Sequence, residues 1–156
     1  MPQSFAGVYL HLIFSTKNRE CSIRTEWAPR LYEYIGGILR DRKCQLLAAG
    51  GVEDHVHLLV SLSREITLSS LVRDIKSVSS HWVHQNMTGS QEFAWQQGYA
   101  VFSVSQSALV HVKKRTSVAP LGLDVYFRLV TRGCRPWLLS AGPLGLGNGC
   151  EALIAD

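Results

Sequence analysis

Two histidines separated by a single residue are the part of this sequence best suited to chemistry. His55 and His57 stand in the apolar run from residue 52 to 62, whose composition predicts a β-strand. Side chains alternate between the faces of a strand, so the two imidazoles project from the same face. Neutral imidazole binds divalent metals well, and a strand holds its side chains in fixed positions. The pair is therefore a candidate metal site.

The spacing of the two histidines leaves a second interpretation open. A His-x-His pair supplies too few ligands to define a metal centre by itself. On a half-exposed strand face the same side chains would hydrogen-bond to water or to neighbouring carbonyl groups. Asp54, directly before the pair, is a candidate for orienting a ligand histidine or for approaching a metal from outside its ligands.

Alternating strand and helix patterns must position these residues. We predict strands at residues 8–15, 44–49 and 52–62, and a final strand within residues 93–104. Apolar side chains three and four residues apart predict helices at residues 23–42 and 67–85, and Ser105 opens a last helix at residues 106–114. Gly50 and Gly51 suggest a hairpin or bulge between the second and third strands.

The order strand, helix, strand, strand, helix, strand, helix is the split βαβ pattern of a ferredoxin-like domain. We therefore predict the α+β class, with an antiparallel sheet and helices on one face. The histidine pair would lie on the other, open face of the sheet. Open faces of this kind often receive single-stranded nucleic acid, although the fold alone does not establish function.

Composition limits the class of protein. The 156 residues are 46% hydrophobic and 18% charged, which fits a globular chain. No apolar run reaches the roughly 18 residues that span a membrane, and the N-terminus does not resemble a signal peptide. We expect a cytoplasmic protein without a membrane partner. The net charge of +4 permits a polyanionic partner without requiring one.

Four sequence blocks occur in a specific order along the chain. They read His-Leu-Ile-Phe-Ser-Thr-Lys-Asn-Arg at 11–19, Gly-Gly-Val-Glu-Asp-His-Val-His-Leu-Leu-Val-Ser at 50–61, Leu-Val-Arg-Asp-Ile-Lys-Ser at 71–77, and Phe-Ala-Trp-Gln-Gln-Gly-Tyr-Ala-Val-Phe-Ser-Val-Ser at 93–105. Together they resemble the single-tyrosine HUH transposases of small bacterial insertion sequences, relatives of the REP-associated tyrosine transposases. The resemblance covers residues 5–114, which we expect to form a transposase-like domain.

This resemblance implies a nuclease that binds single-stranded DNA hairpins at transposon ends and cuts and rejoins them during DNA transposition. In the family the paired histidines, here His55 and His57, hold Mg²⁺ or Mn²⁺, which polarises the phosphate to be cleaved. A tyrosine attacks this phosphate and forms a 5′-phosphotyrosine link. Relatives are dimers that exchange the terminal helix, so the resemblance also implies a homodimer. It favours the metal-site interpretation of the histidine pair.

Basic and aromatic side chains in the same blocks are candidates for DNA contact. The basic candidates would meet phosphates, which makes affinity fall with salt; they are Lys17, Arg19, Arg73 and Lys76. The alternative interpretation of each basic residue is that it is a solvated charge on the protein surface with no role in DNA binding. Trp95 and Tyr99 are the aromatic candidates, because aromatic rings can stack on unpaired bases.

The chain departs from the family pattern after residue 114. The family places a tyrosine and, four residues later, a metal-binding glutamine on the terminal helix, but these positions hold Arg115 and Ala119. Arginine cannot be the nucleophile, because its guanidinium stays protonated. Residues 116–156 contain six of the thirteen glycines, which suits an irregular tail translated out of frame. We expect residues 115–156 to form a divergent low-order tail, in which Tyr126 is the only candidate nucleophile.

Functions of different classes follow from this departure. The first is a transposase whose strand cleavage is impaired by loss of the nucleophile. The alternative is a noncatalytic remnant that binds single-stranded nucleic acid. A third is a structural or nonspecific metal-binding protein with no DNA partner. Hairpin binding at moderate salt separates the second function from the third.

Overall fold

The computed structural model describes residues 7–117. Within them, four strands form one antiparallel sheet in the order β2-β3-β1-β4. The strands are β1 (Val8–Ser15), β2 (Gln45–Val52), β3 (His55–Leu62) and β4 (Ala100–Val104). The helices are α1 (Ala28–Asp41), α2 (Leu68–Asn86) and α3 (Leu109–Ser117), with 3₁₀ turns at Lys17–Arg19 and Gln106–Ala108. The predicted ferredoxin-like α+β fold is confirmed.

Helices α1 and α2 cover one face of the sheet. Alternation along the two central strands directs one set of side chains toward these helices, and they are buried in a single cluster: Leu10, Leu12 and Phe14 of β1 with Val56, Leu58 and Val60 of β3. Burying an aliphatic or aromatic side chain contributes about 1.5–3 kcal/mol. A slip of one residue would expose the whole set, so this burial fixes which side chains face away from the helices.

Helix α1 begins at Ala28, five residues later than the predicted start at residue 23. Pro29 lies in its first turn, where the missing N–H costs no hydrogen bond. Ile23 and Trp27 precede the helix and are still buried in the core cluster. Apolar spacing therefore identified buried residues correctly but not the helix start.

The chain reverses between β2 and β3 at residues 53–54, whereas Gly50 and Gly51 lie inside β2. A Cβ atom on Gly51 would lie 2.3 Å from the carbonyl oxygen of His55. Glycine is needed here for the close approach of two strands and not for a turn. A register shift between Leu46 and Ala48 is the irregularity in this pairing.

The second face of the sheet carries the histidines, and it is not open as expected. Helix α3 contacts β2 and β3 but contributes no residue to the cluster beneath α1 and α2. It therefore lies against the opposite face. His55 and His57 are 3% and 1% exposed. In the described part of the chain, no helix is long and apolar enough to cross a membrane.

Candidate metal and nucleic-acid site

His55 is oriented by the residue that precedes it. Its Nδ1–H donates to Oδ1 of Asp54 at 2.6 Å, while Oδ2 of the same carboxylate accepts from Nε of Arg19 at 2.8 Å. Burial alone would raise the pKa of the Asp54 carboxyl, but the hydrogen bonds and charges of His55 and Arg19 outweigh burial and lower it. Asp54 is therefore an anionic acceptor at neutral pH that fixes the His55 ring.

His57 is neutral and nearly fully buried. Its ring centroid lies 5.0 Å from that of His55, and its Nδ1 lies 3.1 Å from Nε2 of His11. Burial, together with the charges of His55 and His11, lowers the pKa of His57 to about 3. Neutral imidazole is the form that binds metals.

His11 is a third histidine of this cluster, and sequence reasoning did not select it. It lies on β1 opposite Leu59, which makes it a diagonal neighbour of His57. Burial lowers its pKa, so the ring is neutral. The available signal was a histidine inside an apolar strand. Only the register of β1 against β3 shows which residue it meets.

The histidine cluster fits part of a metal site. A carboxylate on Nδ1 of His55 and a neutral His57 are both characteristic of metal-binding histidines. Among residues 7–117, no group of three or more His, Cys, Asp or Glu side chains is arranged to hold an ion. A hard ion on this pair would need further oxygen ligands, such as those of a DNA phosphate.

A cleft of about 480 Å³ lies between α2 and the segment before β4, and we call it the α2 cleft. Arg73, Lys76, Trp95 and Tyr99, all predicted DNA contacts, line it together. Serine hydroxyl groups from α2 complete the same wall: Ser69, Ser77 and Ser80. Cations, hydroxyl groups and aromatic rings side by side suit a phosphate with an unpaired base.

Lys76 holds a fixed position in the α2 cleft. Its Nζ donates to the carbonyl oxygens of Gln96, at 2.8 Å, and Gly98, and lies 5.1 Å from the centre of the Phe14 ring. Burial lowers the pKa of Lys76 to about 8. Gly98 has a φ of +82°, a conformation that glycine adopts without steric cost. The ammonium group, which is carried by α2, is thus held in place by a preformed loop.

The two aromatic residues of the cleft have different surroundings. The indole N–H of Trp95 donates to Oγ of Ser79 at 2.9 Å, and its ring packs edge-on against Phe14 and Phe93. Trp95 therefore belongs largely to the core. Tyr99 is 40% exposed, which makes it the better surface for stacking.

The turn Lys17–Arg19 connects the α2 cleft with the histidine cluster. The backbone N–H of Asn18 donates to Oε1 of Gln96 at 3.0 Å, and Nη2 of Arg19 lies 2.7 Å from Oδ2 of Asp54. Asn18 and Arg19 have φ angles of 55° and 59°, a left-handed conformation that costs energy outside glycine. The contacts on both sides hold the turn in this shape, and they give Arg19 a protein partner.

Of the remaining predicted site residues, Lys17 is not brought into the histidine cluster. The side chain of Lys17 is exposed at the start of the turn. Arg115 lies within α3. Tyr126 and Ala119 lie outside the described residues.

The described residues form a ferredoxin-like α+β domain, with paired histidines on a central strand of the sheet and helix α3 against the same face. The family model for IS200-like transposases matches residues 4–115, and this chain belongs to that family. A search of curated proteins finds no match.

Solved structures share this fold. A protein of Deinococcus radiodurans R1 assigned as a transposase is 21% identical, with a TM-score of 0.62, over 76% of this chain and 97% of its own. A REP-associated tyrosine transposase bound to a REP hairpin is also 21% identical, with a TM-score of 0.53, over 99% of this chain and 100% of its own.

Proposed function

We propose that this protein binds a single-stranded DNA hairpin at a transposon end and that His55 and His57 hold Mg²⁺ or Mn²⁺ beside a DNA phosphate. The observation that carries the proposal is the histidine pair, with His55 oriented by Asp54 and His57 neutral, within the segment that matches the transposase family. Cleavage and rejoining through a phosphotyrosine are impaired, because Arg115 stands where the family has its tyrosine.

Hairpin binding is supported by a relative and by the α2 cleft. The REP-associated tyrosine transposase with the same fold was solved bound to a REP hairpin. In this chain Arg73 and Lys76 supply positive charge and Tyr99 an exposed ring in one cleft. Phosphates would bind to the cations and an unpaired base would stack on the ring, with affinity falling as salt rises.

The histidine pair and the two residues that orient it, Asp54 and Arg19, have separate roles in the proposal. When bound, a divalent ion stabilises negative charge on the phosphate oxygens. His55 and His57 are the protein ligands, and Asp54 orients His55. Arg19 keeps Asp54 ionised and in place. We also propose a homodimer, since β2 and β4 are the outer strands of the described sheet and a second copy can extend a sheet at such a strand.

The alternative is a noncatalytic remnant that binds hairpins without metal chemistry. Arg115 at the tyrosine position specifically favours it, because a permanently protonated side chain cannot attack phosphorus. In that case His55 and His57 would no longer bind a metal for catalysis, while the α2 cleft would still bind DNA.

The deciding experiment incubates the purified 156-residue chain with a labelled single-stranded hairpin from its own flanking DNA and Mn²⁺. Denaturing electrophoresis detects a covalent adduct, and a native gel detects binding. The variants are His57→Ala and Tyr126→Phe, with His81→Ala, an exposed histidine of α2, as the matched control.

We expect a native-gel shift and no covalent adduct. A covalent band that disappears in His57→Ala and Tyr126→Phe, but not in His81→Ala, would show an active transposase and overturn the impaired cleavage. A shift that is identical with and without Mn²⁺ in wild type and His57→Ala would favour the remnant. Absence of any native-gel shift at moderate salt would show that the protein does not bind the DNA hairpin.

A further inference from the structure

His11 is a buried side chain of the histidine cluster that the proposed function does not use. Its Nε2 lies 3.1 Å from Nδ1 of His57, and the rings are stacked with centroids 5.2 Å apart and planes 28° from parallel. It comes from β1, whereas His57 comes from β3. The contact is thus set by strand register and not by neighbouring positions in the chain.

A hydrogen bond between two ring nitrogens contains one proton, which can belong to either ring. If Nδ1 of His57 carries it, the lone pair of a neutral His57 is at Nε2, where a metal can bind. If Nε2 of His11 carries it, the proton of a neutral His57 is at Nε2 and blocks that position. The donor in this contact therefore decides whether His57 can be a ligand.

We propose that His11 is a positioning residue whose Nε2 accepts a hydrogen bond from Nδ1–H of His57 and so fixes the tautomer in which Nε2 of His57 binds a metal. The inference deepens the proposed function and rests on it. Asp54 makes the equivalent contact with Nδ1 of His55. Each candidate ligand thereby has its own partner on Nδ1, which is how metal-binding histidines are usually oriented.

The chemistry of the two partners differs in a way that suits a phosphate. Asp54 adds a negative charge, which Arg19 balances at 2.7 Å. A second carboxylate in place of His11 would add a further negative charge beside the bound DNA, and repulsion would oppose phosphate binding. A neutral imidazole accepts the same hydrogen bond without that charge.

His11 is not itself placed as a ligand in this arrangement. The two nitrogens of an imidazole point in diverging directions, and Nδ1 of His57 faces His11. A metal at Nε2 of His57 therefore lies on the far side of that ring from Nε2 of His11. His11 therefore contacts His57 on the side away from the proposed metal.

The test combines nitrogen NMR with metal titration on the 156-residue, 17.3 kDa chain. Long-range ¹H–¹⁵N spectra report which nitrogen of His57 carries the proton, without metal. Titration with Mn²⁺ gives the affinity. The variants are His11→Phe, which keeps a ring and removes the acceptor, and His11→Gln, which keeps an acceptor oxygen. His81→Phe on the surface of α2 is the control.

We expect wild-type His57 to be protonated at Nδ1 and not at Nε2. In His11→Phe this single tautomer should give way to a mixture, and Mn²⁺ affinity should fall about 10–100-fold. His11→Gln should restore most of the affinity, and His81→Phe should change neither property. A merely structural role for His11 would lower stability without moving the tautomer.

Three results would overturn the inference. They are a proton on Nε2 of His57 in the wild type, unchanged Mn²⁺ affinity in His11→Phe, and metal coordination by His11 itself in nitrogen spectra recorded with Zn²⁺, which replaces the paramagnetic Mn²⁺ for this measurement. If the wild type binds no Mn²⁺, the metal part of the proposed function fails. The metal-free spectra still decide the inference, because they report the tautomer directly, and they do so even if His11→Phe does not fold.

Discussion

The guanidinium of Arg19 lies 2.7 Å from the carboxylate of Asp54, whose other oxygen accepts from His55. A basic residue that the sequence offers as a phosphate contact is thus committed to a protein carboxylate. Its charge helps to hold the pKa of Asp54 low and the ring of His55 in one orientation. The effect of Arg19 on DNA binding is therefore expected to pass through His55, a proposed metal ligand.

Replacing Arg19 with alanine should weaken metal binding. The Asp54 carboxylate would lose its two-contact partner and hold His55 less firmly, so Mn²⁺ affinity should fall about tenfold. The free energy of unfolding should fall by about 1–2 kcal/mol, since a part-buried charged hydrogen bond is lost. Arg19→Lys should be intermediate, because an ammonium group cannot make both contacts. Calorimetric titration with Mn²⁺ checks this, and an Arg19→Ala affinity equal to that of Arg40→Ala, an exposed control on α1, would contradict it.

Tyr99 should contribute stacking energy to hairpin binding. Tyr99→Ala removes the exposed ring of the α2 cleft and should weaken binding by about 1–3 kcal/mol. Tyr99→Phe keeps the ring and should bind nearly as well as the wild type. Fluorescence anisotropy with a labelled hairpin at fixed salt measures both. Equal losses in the two variants would show that the hydroxyl group, and not stacking, makes the contact.

Lys76 should give the unfolding free energy a pH dependence in the alkaline range. Its pKa is about 8 in the folded protein and near 10.5 in an unfolded chain. Between these values the unfolded state binds more protons, so the contribution of Lys76 to stability increases as pH rises through the window. Urea unfolding of the wild type and Lys76→Met between about pH 7.5 and 9.5 measures the difference.

That difference should grow with pH in favour of the wild type. Burial raises the pKa of Tyr32, but both proteins contain this residue and its contribution cancels. Lys43→Met, which removes an exposed lysine paired with Glu65, is the matched control and should show no such trend. A flat difference for Lys76→Met would mean that Lys76 is well solvated.

Gly51→Ala should destabilise the protein. The added Cβ atom would lie 2.3 Å from the carbonyl oxygen of His55, so β2 and β3 must separate at the histidine pair. We expect a loss of about 1–3 kcal/mol. Gly37→Ala in α1 meets no atom within 4 Å and should stabilise by roughly 0.5–1 kcal/mol. Thermal unfolding of both variants checks this, and a neutral Gly51→Ala would show that the strands can move apart freely.

Apolar periodicity predicted the fold well, because burial on one face determines the alternation within each strand. The set facing α1 and α2, such as Leu12 and Leu58, is recognisable from residue types alone. Element boundaries were less accurate. Helix α1 was predicted from residue 23 but begins at Ala28, with Pro29 in its first turn. Gly51 suggested a chain reversal by its residue type, but it allows the close packing of two strands.

The candidate site was only partly predictable, because its contacts join distant segments. His55, His57 and Asp54 are adjacent in the chain and could be grouped from spacing. His11 meets His57 across 46 positions, and this depends on the β1–β3 register. The gathering of Arg73 and Tyr99 in one cleft likewise depends on how α2 packs beside the segment before β4.

The turn Lys17–Arg19 should not tolerate a change in its number of residues. Surface turns usually accept extra residues with little loss. Here the backbone of Asn18 is bonded to Gln96 in the wall of the α2 cleft, and the side chain of Arg19 to Asp54 behind the histidines. An inserted residue would break the connection between the α2 cleft and the histidine cluster. In the proposed complex, the turn thereby sets how many nucleotides can separate a base held in the cleft from a phosphate held at the histidines.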